Sequence, residues 1–220
     1  MIKAAIFDMD GILIDSEPLW QEAEKKVFAQ VGIEIPTEMC LETMGMRTDE
    51  VVACRYKKQK WSAKSCKEVE VEILSEMVDL IKQKGVPMQG VDYILDFFAH
   101  KNVRLALATS SPLRIIQTVL NKLHLHRVFE VIHSAEFEQY GKPHPAIYIS
   151  TLRKLNLKAS EVLVFEDSYN GLLSAKAAKL RTVVIPEKSV WHDSRYDLAG
   201  LKLKSLLEFK QEHLQRLAKG

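Results

Sequence analysis

Five short apolar runs, at residues 4–7, 103–108, 128–132, 162–165 and 182–185, constrain the fold of this 220-residue chain more than any other feature. Each is bounded by turn-forming residues, and helical patterns over about 112–124, 144–155 and 168–179 separate the last four. Runs of this kind suit strands buried on both faces, and strands alternating with helices build a parallel sheet with helices packed against it. The sequence therefore predicts an α/β protein whose core is a doubly wound parallel sheet.

Between Ile14 and about Gly90 the pattern changes: no strand-like run occurs and amphipathic helical stretches take over. Asp15 or Ser16 can cap a helix in which Pro18 sits in the first turn, with Leu19, Trp20, Ala23, Val27 and Phe28 on its apolar face. Further helices are predicted over 48–57 and 67–83. The expected organisation is a catalytic core of residues 1–14 and 87–220 interrupted by a helical module of residues 15–86, with hinges near 13–15 and 86–90. A final amphipathic helix over 204–217 is expected to pack on the core.

Composition narrows the function classes. A hydrophobic content of 47% supplies a sizeable core, and 31 basic against 29 acidic residues leave a net charge of only +2. That balance argues against a nucleic-acid or anionic-membrane footprint. Cys40, Cys54 and Cys66 match no metal-knuckle or redox spacing and read as reduced thiols. No uncharged stretch is long enough to span a bilayer, and two aspartates interrupt the first ten residues. The expectation is a cytoplasmic, monomeric protein acting on a small molecule.

The chemistry-bearing residues sit where strands end. Asp8-Met9-Asp10-Gly11 follows the run at 4–7, and Gly11 lets the backbone turn sharply after the two acids. One carboxylate can attack a phosphoryl group while the other serves as general acid and base. The run at 103–108 ends in Thr109-Ser110-Ser111, whose hydroxyls and amides can hold a phosphate or simply cap a helix. Lys142, flanked by Gly141 and Pro143, places one cation on a stiffened loop; His144 reads as a cap for the helix that follows. Glu166 and Asp167 end the run at 162–165 and suit a hard cation such as Mg2+, which takes oxygen ligands. Together these segments supply a nucleophile, phosphate donors, a cation and metal ligands, the parts that phosphoryl transfer requires.

In this order the four segments resemble the haloacid dehalogenase-like hydrolase superfamily over essentially the whole chain. Asp8-Met9-Asp10-Gly11 with Ile14-Asp15-Ser16, Gly141-Lys142-Pro143 and Glu166-Asp167-Ser168 resemble the branch of β-phosphoglucomutase and the sugar phosphatases. Ser16-Glu17-Pro18-Leu19-Trp20, Gly45-Met46-Arg47 and 108–113 are most similar to the 2-deoxyglucose-6-phosphate (hexitol) phosphatases. The resemblance implies a Rossmann-like core with an α-helical cap domain. It further implies a Mg2+-dependent phosphatase acting through an aspartyl-phosphate on small sugar or sugar-alcohol phosphates. It assigns Asp8 as nucleophile and metal ligand, and Asp10 as general acid/base that also offers its carbonyl to the metal. It has Thr109 and Ser110 holding the phosphoryl group, Lys142 neutralising it, and Asp167 binding Mg2+ with Glu166 assisting. Arg47, in a cap loop, is expected to contact the sugar phosphate.

Two other readings remain at this stage. A β-phosphoglucomutase-like mutase is disfavoured because that enzyme carries a histidine in the first cap helix, where Leu19, Trp20 and Gln21 stand here. A non-catalytic phosphosugar-binding protein is disfavoured by intact Asp8, Asp10, Lys142 and Asp167. The basic residues Arg55, Lys57, Lys58, Lys60 and Lys64 around Trp61 read as a solvated cap surface, and Trp20 as core packing rather than a sugar-stacking group.

Overall fold

The strand β1 (Ala4–Phe7) is fully buried and occupies the middle of the sheet. The computed structural model describes residues 1–219. After β1 come four helices, α1 (Glu17–Ala29), α2 (Thr37–Glu42), α3 (Thr48–Lys58) and α4 (Cys66–Lys84), and then α5 (Val91–Ala99). The alternating part follows: β2 (Arg104–Thr109), α6 (Leu113–Lys122), β3 (Val131–Ser134), α7 (Ala146–Leu155), β4 (Val162–Glu166), α8 (Tyr169–Ala177) and β5 (Arg181–Val184). A short β6 (Leu201–Lys202) and a terminal α9 (Gln211–Lys219) close the chain.

All strand pairs are parallel, in the order β3-β2-β1-β4-β5-β6. Register places Phe7 between Leu107 and Phe165, and the Phe7 and Phe165 rings stack 4.8 Å apart. The period of two sorts the strand side chains into separate cores. Ala5, Phe7, Leu107, Leu163 and Phe165 join one cluster with residues of α5, α6 and the helices α1–α4; Ala4, Ile6, Ala106, Val162 and Val164 join another with α7 and α8. Burial on both faces explains why these strands are continuous apolar runs.

The chain leaves and rejoins the sheet side of the molecule through paired segments. Asp15 N donates to Val86 O at 3.0 Å, and Met88 N donates to Leu13 O at 3.0 Å. The two expected hinges thus lie side by side.

Several expectations shift in detail. The sheet has six strands rather than five, because Leu201–Lys202 adds to β5 beyond the expected last strand. β3 begins at Val131, three residues later than the apolar run suggested. The last helix starts at Gln211 instead of 204, since the Ser205 hydroxyl caps a tight turn at Leu206–Glu208. Helices α2 and α5 were not anticipated. Neither Asp15 nor Ser16 caps α1 by its side chain; the Ser16 hydroxyl is engaged elsewhere. Trp61 is buried against Phe28 and Tyr56; the expected solvated surface holds for Lys57, Lys58 and Lys60, but not for Arg55, which is only 2% exposed and bonds Met39 O and Thr43 Oγ1.

Candidate active site

Parallel sheets of this kind bind ligands beyond the carboxyl ends of their strands, where the strand order reverses. Here that point lies at β1, with β2 on one side and β4 on the other. Asp8 follows β1 directly and its N–H donates to Phe165 O at 3.0 Å, so the ladder with β4 fixes its position. The chain then turns at Gly11, whose φ is +69° and whose N–H donates to Ile14 O at 3.0 Å. A side chain at Gly11 would place Cβ 2.2 Å from Asp167 Oδ2, so the turn brings backbone against a carboxylate supplied by the end of β4.

Around this point Asp8, Glu166 and Asp167 form a buried cluster whose ligand oxygens lie within 4.8 Å of one another. Lys142, only 1% exposed, reaches into it from the loop before α7. Its Nζ donates to Glu166 Oε1 at 2.6 Å and lies 3.0 Å from Asp8 Oδ1. The second contact is ionic rather than a well-aligned hydrogen bond, and Asp8 Oδ1 has no hydrogen-bond partner. Glu166 is held from every side: Tyr148 Oη also donates to Oε1, and Asp167 N and Ser168 Oγ donate to Oε2 at 3.2 and 3.3 Å.

The electrostatics follow from this crowding. Burial pushes the Asp8 carboxyl up to about 7, with Glu166 and Asp10 adding to the effect and Lys142 opposing it. Burial, then the Asp8 and Glu166 charges, raise Asp167 well above the usual carboxylate range. Burial disfavours the Lys142 cation, but the Asp8 and Glu166 carboxylates outweigh it and hold the ammonium protonated. Once ionised, three buried acids would carry more negative charge than Lys142 alone offsets. An all-oxygen donor set with an unpartnered Asp8 oxygen fits a hard divalent cation.

Asp10 faces a chamber between the sheet edge and the inserted helices. Four hydroxyl or indole donors surround its carboxylate: Ser16 Oγ at 2.7 Å and Trp20 Nε1 at 2.9 Å on Oδ1, and Ser111 Oγ at 2.7 Å and Thr109 Oγ1 at 3.4 Å on Oδ2. Ser16 and Trp20 lie four apart at the start of α1 and share one face, which is what lets both reach a single oxygen. The Thr109 hydroxyl also accepts from Ser111 N at 3.1 Å, which shapes the turn after β2.

The loop before α3 is pinned to the sheet side. Ser110 Oγ donates to Gly45 O at 2.7 Å, and Asn170 Nδ2 donates to Met44 O at 2.9 Å. Arg47 Nη1 donates to Glu138 O at 2.7 Å and Ala135 O at 3.3 Å, and Gly141 N donates to Glu50 Oε1 at 3.0 Å.

Asp8, Asp10, Thr109, Ser110, Glu166, Asp167 and Lys142 thus gather at one edge of the sheet. Arg47 does not join them: it lies along a neighbouring cleft, gripping carbonyls of the 135–138 segment. His144 caps as read, its Nδ1 accepting from Ala146 N at 3.3 Å. Trp20 packs against the core as expected and does more: half-buried, it lines the chamber and its Nε1 donates to Asp10. Ser16, Ser111 and Tyr148 were missed as partners of site carboxylates. The i, i+4 spacing of Ser16 and Trp20 beside the Asp-x-Asp turn was the available signal; nothing local marks Tyr148.

Known proteins share this arrangement of chain. Hexitol phosphatase B of Escherichia coli is 37% identical over 214 residues, covering 97% of this chain and 96% of that protein. The phosphorylated carbohydrates phosphatase of Thermotoga maritima is 34% identical over 187 residues, covering 83% of this chain and 84% of that one. Among solved structures, CbbY from Rhodobacter sphaeroides in complex with xylulose-(1,5)bisphosphate superposes with a TM-score of 0.88 at 26% identity, covering 97% of this chain and 99% of that chain. Residues 5–185, which run from β1 to just past β5 and include every acid of the cluster, match the family described as haloacid dehalogenase-like hydrolase, and the chain is a member of that family.

Proposed function

We propose that the protein is a Mg2+-dependent phosphatase of small sugar or sugar-alcohol monophosphates, working through an aspartyl-phosphate on Asp8. The observation that carries this reading is the convergence of Asp8, Lys142 and Asp167 in one buried cluster beside the chamber that Asp10 faces. The carbohydrate phosphatases among its relatives support the substrate class.

In this reading an Asp8 oxygen attacks phosphorus, the ester P–O bond breaks, and the Asp10 carboxyl gives its proton to the departing alkoxide. Asp10 then takes a proton from a water that attacks the phosphoryl group, breaking the bond to Asp8 and releasing inorganic phosphate. Thr109 and the Ser110 amide hold the phosphoryl oxygens, and Lys142 offsets their charge. Asp8, Asp167 and the Asp10 carbonyl, with Glu166 assisting, would hold Mg2+, which when bound supplies Lewis-acid neutralisation of the transferring group. Residues 15–86 act as a cap on the core formed by 1–14 and 87–220. The chamber encloses about 50 Å³, room for one or two waters, so the cap must lift to admit an organic phosphate and reclose over it.

Small-molecule action in the cytoplasm as a monomer belongs to the same proposal. Three unpaired cysteines agree with a reducing compartment, and no helix among the described residues is long and apolar enough to cross a membrane. The test is phosphate release from polyol, deoxyhexose, hexose and pentose monophosphates with Mg2+, alongside Asp8→Asn. Turnover that survives Asp8→Asn would end the covalent mechanism. Accumulation of hexose 6-phosphate from the 1-phosphate, in place of free phosphate, would make the chain a mutase.

A further inference from the structure

The cap side of the chamber holds an acid that the mechanism above does not use. Glu24, on α1 two turns after Glu17, lines the chamber and is 8% exposed. Its Oε2 is buried without a hydrogen-bond partner. An unpaired buried carboxyl oxygen costs folding free energy, so keeping it there makes sense only if a donor arrives with the ligand.

Among the neighbouring groups the Cys40 thiol lies within reach of the Glu24 carboxyl, but Oε2 itself has no partner. Arg55 acts on Glu24 electrostatically, but among the described residues no ion pair joins them. The Arg55 Nη2 donates to Met39 O and Thr43 Oγ1, and its Nε and Nη1, though buried without hydrogen-bond partners, form no hydrogen bond to Glu24. Burial pushes the Glu24 carboxyl up to about 7, so near neutrality both its accepting and its donating forms are populated. That versatility suits a hydroxyl, which also donates and accepts.

Charge around the chamber points the same way. Among the described residues no lysine, arginine or histidine lines it, while Glu17 and Glu24 both do. A ligand with a second phosphate or a carboxylate would bring that charge beside two acids, and Arg55, the cation that acts on Glu24, does not line the chamber to meet it. A neutral chain of hydroxyls would meet Glu24, the Thr48 hydroxyl and the half-buried Trp20.

We infer that Glu24 determines specificity at the substrate end away from phosphorus: its Oε2 accepts a hydrogen bond from a hydroxyl of an uncharged polyol chain, and Glu17 and Glu24 together turn away monoesters bearing a second anionic group. The inference rests on the phosphatase reading and names the substrate class for it. Sites built to hydrogen-bond a hydroxyl discriminate strongly against ligands lacking one, because their own polar group is then left unpaired.

The test compares kcat/KM for sorbitol 6-phosphate, phenyl phosphate and fructose 1,6-bisphosphate in the wild type, Glu24→Leu and Glu24→Gln. In Glu24→Leu the preference for sorbitol 6-phosphate over phenyl phosphate should fall by at least about tenfold, chiefly through KM. Glu24→Gln, which keeps an accepting oxygen, should hold that preference within about threefold while its relative use of the bisphosphate rises several-fold. An unchanged preference in Glu24→Leu, or an equal loss on both monoesters, overturns the inference. If Glu24→Leu does not fold, Glu24→Gln decides alone, and unchanged discrimination against the bisphosphate overturns it. Absence of wild-type turnover on every ester overturns the phosphatase reading itself, a failure visible before any Glu24 variant is made.

Discussion

Trp20 Nε1 and Asp10 Oδ1 lie 2.9 Å apart, so a side chain from the first inserted helix fixes the carboxylate proposed as acid and base. Ser16 reinforces the contact from the same helix face. Asp10 is thereby oriented jointly by α1 and by the Ser111 hydroxyl after β2. Any movement of α1 would therefore also move Asp10, which in the proposed mechanism would tie closure over the chamber to alignment of the acid/base carboxylate.

Trp20→Phe keeps the ring and removes the donor. It should lower kcat by about tenfold, the scale of a lost hydrogen bond to a charged group, with little change in thermal stability. Ser16→Ala should do the same. Because both donors share one oxygen, the double variant should be less than additive, as steady-state kinetics on the four proteins would reveal.

The buried acids give the apo-protein a definite pH response. Asp8 is raised to about 7 and Asp167 also lies well above its ordinary value, so in the native state both keep protons that the unfolded chain has already released near pH 4. Their contribution to stability is therefore greatest at low pH and is lost as pH rises through the native values. A bound divalent cation needs them ionised, so the increase in Tm on adding Mg2+ to EDTA-treated protein should grow from pH 5 to pH 8. A Tm increase that is flat or shrinks across that range would contradict the assigned ligand set.

Tyr148 tests how Lys142 is positioned. Its hydroxyl and Lys142 Nζ share Glu166 Oε1 in a fully buried setting. Tyr148→Phe should cost about 1–2 kcal/mol of stability and lower kcat a few-fold, with KM little altered. Denaturant unfolding and kinetics measure the two effects separately.

The pinned loop before α3 makes a further prediction. Arg47 joins it to the 135–138 carbonyls, so Arg47→Ala should speed hydrogen exchange across residues 44–50 and weaken kcat/KM by about tenfold through incomplete closure. Arg47→Lys keeps the charge but not the fork of donors and should restore little of the loss.

How much of this was legible in the sequence depended on range. Strands buried on both faces announced themselves as apolar runs, and the acids at their ends read as a site because chain order alone places strand ends together. The cap helices followed from periodicity, apart from the six-residue α2, which is too short to show a period. β6 was invisible because two residues carry no pattern, and α5 was passed over beside the hinge. Trp20 was read only in part, for a different reason: it packs on the core as expected, but its hydrogen bond to Asp10 was not legible. Its place on an apolar helical face is equally what core packing and a chamber wall require, and only the tertiary approach of Asp10 distinguishes them. Tyr148 and Glu24 are the same case: their significance lies in partners, present or missing, that no local window contains.

Gly11 and Gly32 separate backbone strain from displacement of Asp167, a proposed metal ligand. Both hold positive φ, at +69° and +77°, so alanine at either carries a left-handed backbone penalty of about 1–2 kcal/mol. Nothing lies within 4 Å of a Cβ at Gly32, whereas a Cβ at Gly11 would sit 2.2 Å from Asp167 Oδ2 and 2.6 Å from its Cγ. Gly11→Ala must therefore push Asp167 aside or distort the turn that carries Asp10. It should weaken Mg2+ binding and lower turnover by about a hundredfold, since small misplacements of catalytic groups are costly. Gly32→Ala should lower Tm by a comparable amount with Mg2+ affinity retained. Titration of Mg2+ by calorimetry on both variants tests this, and equal loss of affinity in the two would mean that the close approach of Gly11 to Asp167 does not organise the metal ligands.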